Sequence, residues 1–433
     1  MKRSLSTLAV LIMLTMILNA CAFSPKKQVT PDGSHIKSVT AITEVFGDGQ
    51  KLIAAAVEYD KEIDNAKLTA AAFSVAGRSI TKAYVNNAAA KALQGKNGRY
   101  VILELSEADK NALTFIQQGR TKTRKEPKVS VQQTGDVITA AGESYTPYPD
   151  VLENNKVINL VVDDFKQLEY EDPKTGKTLK YNLFIPKNYN ENKSYPLVTF
   201  IHDAGATSDV TDTTLIQGLG GVIWATPSEQ AKRECFVLVP QYSDQIVNDK
   251  LEATAYLDIT VDLINSIVSQ YNLNKNRLYV TGQAGGAMLA IAMMIKYPDF
   301  FAAPLLVAGQ WEPRAMTVLA KKNMWIIVAE GDQKAFSGMN AGIARMETAG
   351  AKVSKAIWNG QAGEEELASE VRRMIGEGRN IKYTVLKKGT VVPAGQADDA
   401  DGNHINIWRI AYAVEGLRDW LFTQAKGENV HNK

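Results

Sequence analysis

RLYVTGQAGG, residues Arg277 to Gly286, decides how this chain is read. Leu278, Tyr279 and Val280 have the aromatic and branched character of a short strand. Gly282 and Gly286 bracket Gln283, Ala284 and Gly285, and an apolar helical stretch follows from Ala287 to Lys296. A strand that turns sharply into a helix needs glycines where the two backbones come close, which gives the spacing G-x-S-x-G. Here the glycines are in place and the middle position, 284, is alanine.

Outward from this turn, strands and helices alternate. Phe165–Asp172 and Leu179–Ile185 flank Pro173–Lys177 as a hairpin, and Leu197–His202 and Phe236–Val239 read as buried strands. Ala255–Tyr271 is an amphipathic helix carrying Val261, Ile264, Ile267 and Val268 on one face. Strands follow at Ala303–Ala308, Trp325–Ala329 and Tyr383–Leu386, and a closing helix at Ile407–Thr423. Such alternation predicts a mainly parallel sheet with helices on both faces over residues 157–426, and a site beyond the C-terminal strand ends.

At 433 residues the chain is too long for one ordinary core. Its net charge of +2 gives no electrostatic case for a nucleic-acid partner. Lys2 and Arg3 precede an apolar run, Leu5 to Leu18, which is shorter than the ~20 residues that span a bilayer. The run ends in Leu18-Asn19-Ala20-Cys21, which resembles a bacterial lipobox. Residues 1–21 are therefore expected to be a lipoprotein signal, with Cys21 lipidated and residues 22–34 a tether. The protein is then expected in the bacterial cell envelope, anchored to a membrane. Cys235, within CFVLVP, is the other cysteine, so an acylated Cys21 leaves it unpaired, as a buried small apolar group. Residues 35–143 carry short strands at Ile36–Phe46, Lys51–Tyr59, Ala71–Val75, Ile80–Val85, Tyr100–Leu105, Lys128–Thr134 and Val137–Ala140, with Gly/Asp turns between them: an all-β sandwich. Arg120, Lys122, Arg124, Lys125 and Lys128 read as a solvated basic loop, 144–156 as a linker and 427–433 as a polar tail.

In an α/β-hydrolase the catalytic groups follow the chain order nucleophile, acid, histidine. After position 284, Trp325–Ala329 runs into Glu330-Gly331-Asp332, and Asp332 is the better placed acid, with Glu330 second. Of the four histidines, only His404 and His431 come later, and His404 falls in a loop, Asp398–Asn403, just before the closing helix. A serine hydroxyl attacks once a histidine takes its proton, and a buried carboxylate keeps the imidazole in the right tautomer. The oxyanion donors expected are the backbone N–H of Gly285 and that of Asp203 or Ala204, with His202 shaping the loop. Gly176-Lys177-Thr178 is not a phosphate loop, because Glu171 stands where its first glycine belongs. The aspartates of 398–403 lack the distal glutamate of a calcium loop, so neither metal nor cofactor is expected. Trp224, Trp311 and Trp408 are read as core, with a pocket wall as the alternative.

The stretches LVTFIHDAGA, CFVLVPQY, RLYVTGQAGGAMLAIAMMIKYPDFF, EGDQKAFSGMN and DGNHINIWRIAYAVEGLRDWLF, after TAITEVFGDGQKLIAAAVEYDKEID, resemble the family of secreted bacterial esterases and "predicted peptidases" with an N-terminal Ig-like domain. The chain is similar, more distantly, to feruloyl-esterase and polyhydroxyalkanoate-depolymerase hydrolases. The resemblance implies an α/β-hydrolase fold behind an Ig-like domain that spaces the site from the membrane and shapes one wall of its cleft. It also implies hydrolysis of carboxylic esters through an acyl-serine. The family pattern expects Gly-Gln-Ser-Gly-Gly, and Gly282, Gln283, Gly285 and Gly286 match it while Ala284 departs. Three readings stay open: an esterase in inactivated form, a pseudo-hydrolase that binds a small ester, peptide or glycan without turnover, and an interaction protein acting through its first domain.

Overall fold

The computed structural model describes residues 34–118 and 121–427. Cys21 and the rest of the expected signal and tether through 33, Arg120, and the tail from 428 with His431 lie outside the described residues.

The first domain is built on two facing sheets, with two two-stranded ribbons beside them. Its strands are β1 (Ile36–Phe46), β2 (Gly49–Ile63), β3 (Phe73–Val75), β4 (Ile80–Asn86), β5 (Gly98–Leu105), β6 (Phe115–Gln118), β7 (Thr121–Arg124), β8 (Ser130–Gln133), β9 (Val137–Ile138), β10 (Ser144–Tyr145), β11 (Leu152–Glu153) and β12 (Lys156–Asn159). One sheet runs β12-β1-β2-β5-β4 and the other β11-β8-β3, and the ribbons are β9–β10 and β6–β7. Val57, Val101, Leu103 and Val131 pack between them. The outer face of the larger sheet is also covered: Ile42, Ala54, Ala56 and Ile102 lie under Ala89, Ala92 and Leu160. This double burial is why β2 reads as the unbroken run LIAAAV instead of an alternation.

Three expectations are corrected here. The stretch read as a linker is woven into the first domain, since β10 pairs with β9 and β11 with β8, and the start expected for the second domain at 157 is too early, since β12 runs parallel to β1 with Ala41 opposite Val157 and Ile42 opposite Ile158. Part of the basic run is strand and not loop: Lys122 and Arg124 lie on β7, while Lys125 and Lys128 are exposed and outside the strands. β6 and β7 pair as a hairpin, anchored by Phe115, which is 1% exposed.

The second domain holds β13 (Lys166–Glu171), β14 (Thr178–Phe184), β15 (Tyr195–Ile201), β16 (Phe236–Gln241), β17 (Leu273–Gln283), β18 (Ala303–Val307), β19 (Met324–Ala329), β20 (Val353–Trp358) and β21 (Ile381–Leu386). They form one sheet in the order β13-β14-β16-β15-β17-β18-β19-β21-β20. The first three neighbours pair antiparallel and every pairing from β16 onward is parallel. Helices α4 (Tyr256–Gln270), α5 (Gly285–Lys296) and α6 (Gln333–Thr348) cover one face. Short helices α1 (Thr213–Ile216), α2 (Leu219–Val222) and α3 (Pro227–Lys232), with α7 (Glu364–Gly376), α8 (Ala400–Ala411) and α9 (Glu415–Phe422), cover the other. The single closing helix expected at Ile407–Thr423 is in fact α8 and α9. The break falls at Tyr412–Val414, just ahead of Gly416, and Arg418 Nη1 donates to the Tyr412 carbonyl there at 2.6 Å.

The domains share core. Val45 and Phe115 of the first domain belong to the same buried cluster as Phe200, Leu215 and Trp408 of the second. The β1–β2 turn fits closely against α8: a Cβ on Gly47 would meet Arg409 Cγ at 2.3 Å. No helix among the described residues is long and apolar enough to cross a membrane.

Candidate active site

At the end of β17 the chain turns through Ala284 with φ 48° and ψ −118°. Both angles lie outside the regions an L residue prefers, a strain worth about 1–3 kcal/mol that persists only where the surroundings fix it. They do so here. The Ala284 N–H donates to the Val307 carbonyl at 2.9 Å, and its own carbonyl accepts from Met288 N at 3.0 Å as α5 begins. The flanking glycines are forced by contact. A Cβ on Gly282 would lie 2.6 Å from the Gly286 carbonyl carbon, and one on Gly286 would lie 2.0 Å from the Ile201 carbonyl oxygen.

Asp332 leaves the end of β19 and begins α6, where its Oδ1 accepts from Ala335 N at 3.1 Å. Its Oδ2 lies 2.5 Å from His404 Nδ1. Glu330 turns away: it is exposed and accepts from Lys388 N at 2.9 Å. His404 is in the second turn of α8 and not in the loop expected for it. The helix starts early because Asp399 accepts from Gly402 N at 2.7 Å, and Asp398 accepts from Asn403 Nδ2 at 2.7 Å. Trp408, one turn on, meets the His404 ring edge to face at 5.7 Å. Burial pushes the pKa of His404 down, but the Asp332 hydrogen bond and charge, with Asp203 and Asp401 beyond, outweigh it and leave the ring above its ordinary 6.5. With Nδ1 held by Asp332, Nε2 is the nitrogen left to exchange a proton.

The third part is the turn after β15. His202 is buried; its Nδ1 donates to the Asp203 carbonyl at 2.7 Å and its Nε2 accepts from Tyr242 N at 3.1 Å. Burial lowers its pKa, so the ring is neutral and shapes the loop. Asp203 caps the short turn Ala204–Ala206, accepting from Gly205 N at 2.8 Å. Only 4% exposed, its carboxylate also takes Gln117 Nε2 at 2.7 Å and Gln283 Nε2 at 3.0 Å. The Ala204 amide nitrogen lies 3.8 Å from where a Cβ on Gly285 would sit, so the loop and the elbow meet at that point.

Ala284, Gly285, Asp203, Ala204, Asp332 and His404 all line one cavity of about 790 Å³. Met288, Ile405 and Trp408 give it an apolar side, and Gln245, Asn248, Asp249, Lys334 and Asp401 a polar rim. Trp408 is thus both core and wall, while Trp224 and Trp311 lie in the core alone. Sequence reasoning missed the 245–249 loop and Gln117. Neither Phe-Ile-Gln-Gln nor Thr-Lys-Thr-Arg carries the apolar–polar alternation of a strand, so only the β-branched and aromatic residues in them hint at the hairpin that carries Gln117.

Residues 38–146 match the esterase Ig-like N-terminal domain family, and residues 179–356 the esterase PHB depolymerase family. The crystal structure of a thermostable esterase superposes with a TM-score of 0.78 at 26% identity, covering 90% of this chain and 100% of that one. Acetylxylan esterase A of Emericella nidulans is 40% identical over 48 residues, a match that spans 11% of this chain and 16% of that protein's length. The chain therefore joins an esterase Ig-like N-terminal domain to an α/β-hydrolase domain that matches the esterase PHB depolymerase model over residues 179–356.

Proposed function

We propose that the second domain is a carboxylic-ester site of the serine-hydrolase kind whose nucleophile position is filled by Ala284. As written, the chain binds a small ester ligand and forms no acyl-enzyme. The observation that carries this reading is the strained backbone of Ala284, φ 48° and ψ −118°, in the same cavity as the Asp332–His404 pair. A serine there would lose its proton to His404 Nε2, with Asp332 holding the ring, and the Gly285 and Ala204 amides would face the developing oxyanion. A methyl group has no proton to give and no lone pair with which to attack. Loss of the nucleophile costs about six orders of magnitude in kcat, while ~10³-fold over water survives from binding and the oxyanion donors.

The test is Ala284→Ser, assayed on short-chain nitrophenyl esters beside the parent. The expected gain is at least about 10³-fold in kcat/KM. A gain below tenfold refutes a complete site around position 284. For the chain as a whole we propose a lipid anchor at Cys21 and a place on the bacterial envelope, supported by the lipobox-like residues 18–21 alone.

A further inference from the structure

We infer that Gln117, on the first domain, is a positioning residue for the oxyanion loop of the second, holding the Ala204 amide against the elbow through Asp203. The inference rests on the reading of 203–204 as that loop. The β6–β7 hairpin grips this loop along its length. Gln117 Nε2 donates to Asp203 Oδ2, at the residue that begins the Ala204–Ala206 turn, at 2.7 Å. Lys122 Nζ donates to the carbonyl of Thr207, the residue that ends the turn. Arg124 pairs with Asp212 through both nitrogens, at 2.5 and 2.8 Å. Phe115 locks the base of the hairpin into the second domain's core.

Asp203 is the pivot. Its Oδ2 also receives Gly205 N, within the turn itself, at 2.8 Å, and its Oδ1 receives Gln283 Nε2, beside the elbow, at 3.0 Å. One buried carboxylate therefore ties the first domain, the oxyanion turn and the elbow together. A buried carboxylate needs every donor it has, so loss of the amide of Gln117 loosens the other two contacts and frees the turn to shift. Displacement of a donor by about 1 Å is enough to cost ~10²-fold in rate. Gln117 also lines the cavity, and the positioning role assigned to it runs through its bond to Asp203 Oδ2.

The test has two arms. In the chain as it stands, hydrogen exchange of the amides at 203–207 is compared between the parent and Gln117→Ala; exchange about tenfold faster is expected, the scale of one hydrogen bond to a charged acceptor. Unchanged exchange overturns the inference, whatever any esterase assay gives. In the Ala284→Ser background, Gln117→Ala is expected to lower kcat about 10- to 100-fold with KM within about twofold and the melting temperature lowered by only about 3–6 °C. Gln117→Glu supplies the readout that a merely structural role would not move. A carboxylic acid can donate to Asp203 as the amide does, and a carboxylate cannot. The ratio of its kcat to that of the Gln117 protein should therefore fall as pH rises, and a flat ratio or an unchanged kcat for Gln117→Ala overturns the catalytic consequence. If the Ala284→Ser parent itself is inactive, the proposed function fails, and the exchange arm still decides whether Gln117 holds the loop.

Discussion

Gly286→Ala puts a single methyl group at the tightest contact of the elbow. The new Cβ would lie 2.0 Å from the Ile201 carbonyl oxygen, 2.6 Å from its carbon and 2.8 Å from the His202 oxygen. Carbon and oxygen sit comfortably at about 3.3 Å, so the first turn of α5 must retreat from the end of β15 by roughly 1 Å. All three obstacles are backbone, fixed by the sheet pairing of Ile201 with Gly282, and none can rotate away. Inserting a methylene into packed core costs about 1–3 kcal/mol, and rigid obstacles place this one at the top, about 3 kcal/mol. At ~2 °C per kcal/mol for a domain of this size, melting should fall by about 6 °C. In the Ala284→Ser background the same retreat carries Gly285 away from Ala204, and kcat/KM should drop by about 10²-fold. Gly376→Ala is the control: it ends α7 with nothing within 4 Å of the new methyl, and should stabilise by about 0.5–1 kcal/mol. Thermal melts and ester kinetics on the two variants decide. A Gly286→Ala protein that melts within 1–2 °C of its parent would refute the claim that contact dictates this glycine.

Further outcomes are expected. In Ala284→Ser, kcat/KM should rise with pH through the His404 midpoint, above 6.5, because the neutral ring takes the proton. Asp332→Asn should move that midpoint down, as read by NMR titration of the ring in the Ala284 chain; a midpoint that stays put contradicts the pairing. Because the folded pKa is raised, the pair's stabilisation is present below 6.5 and lost as pH climbs through the folded midpoint, so urea stability should decline across that window in the parent more than in Asp332→Asn. Glu229→Ala should cost about 3–5 kcal/mol in urea unfolding, since Glu229 receives Arg233 at 2.6 Å and Arg418 at 2.9 Å, all three nearly buried. Cys235, fully buried with its thiol pushed up to about 12 by burial, should resist thiol reagents at pH 8 in the native protein and react in urea; native labelling mapped to Cys235 would count against its burial.

The parts of this molecule that could be read from sequence are those set by local contact. Gly282 and Gly286 stand out because a strand and a helix cross within a van der Waals radius at each. The strand–helix alternation from β15 to β19 follows from apolar runs of the right lengths. What stayed hidden depends on partners far along the chain. β12 is four residues long and reads as the end of a linker and the start of the second domain until β1 lies beside it, more than a hundred positions earlier. His404 seemed to lie in a loop because its aspartates suggest turn, and only the capping bond from Gly402 shows them starting a helix. Gln117 lies 86 residues from Asp203, so no local pattern joins them.

The core shared by Val45 and Phe115 with Phe200 and Trp408 bears on how such proteins can be recombined. A chimera that exchanges the first domain between two relatives at the 159–160 boundary would cut no sheet, and by that measure the boundary looks like a seam. It would nevertheless join half of one jigsaw to half of another, with Gly47 facing a foreign residue 409 and a foreign hairpin gripping the 203–207 turn. Grafts of the first domain should succeed only when residues 203–212 and the surface of α8 travel with it, so inheritance and engineering alike act on a unit larger than either domain.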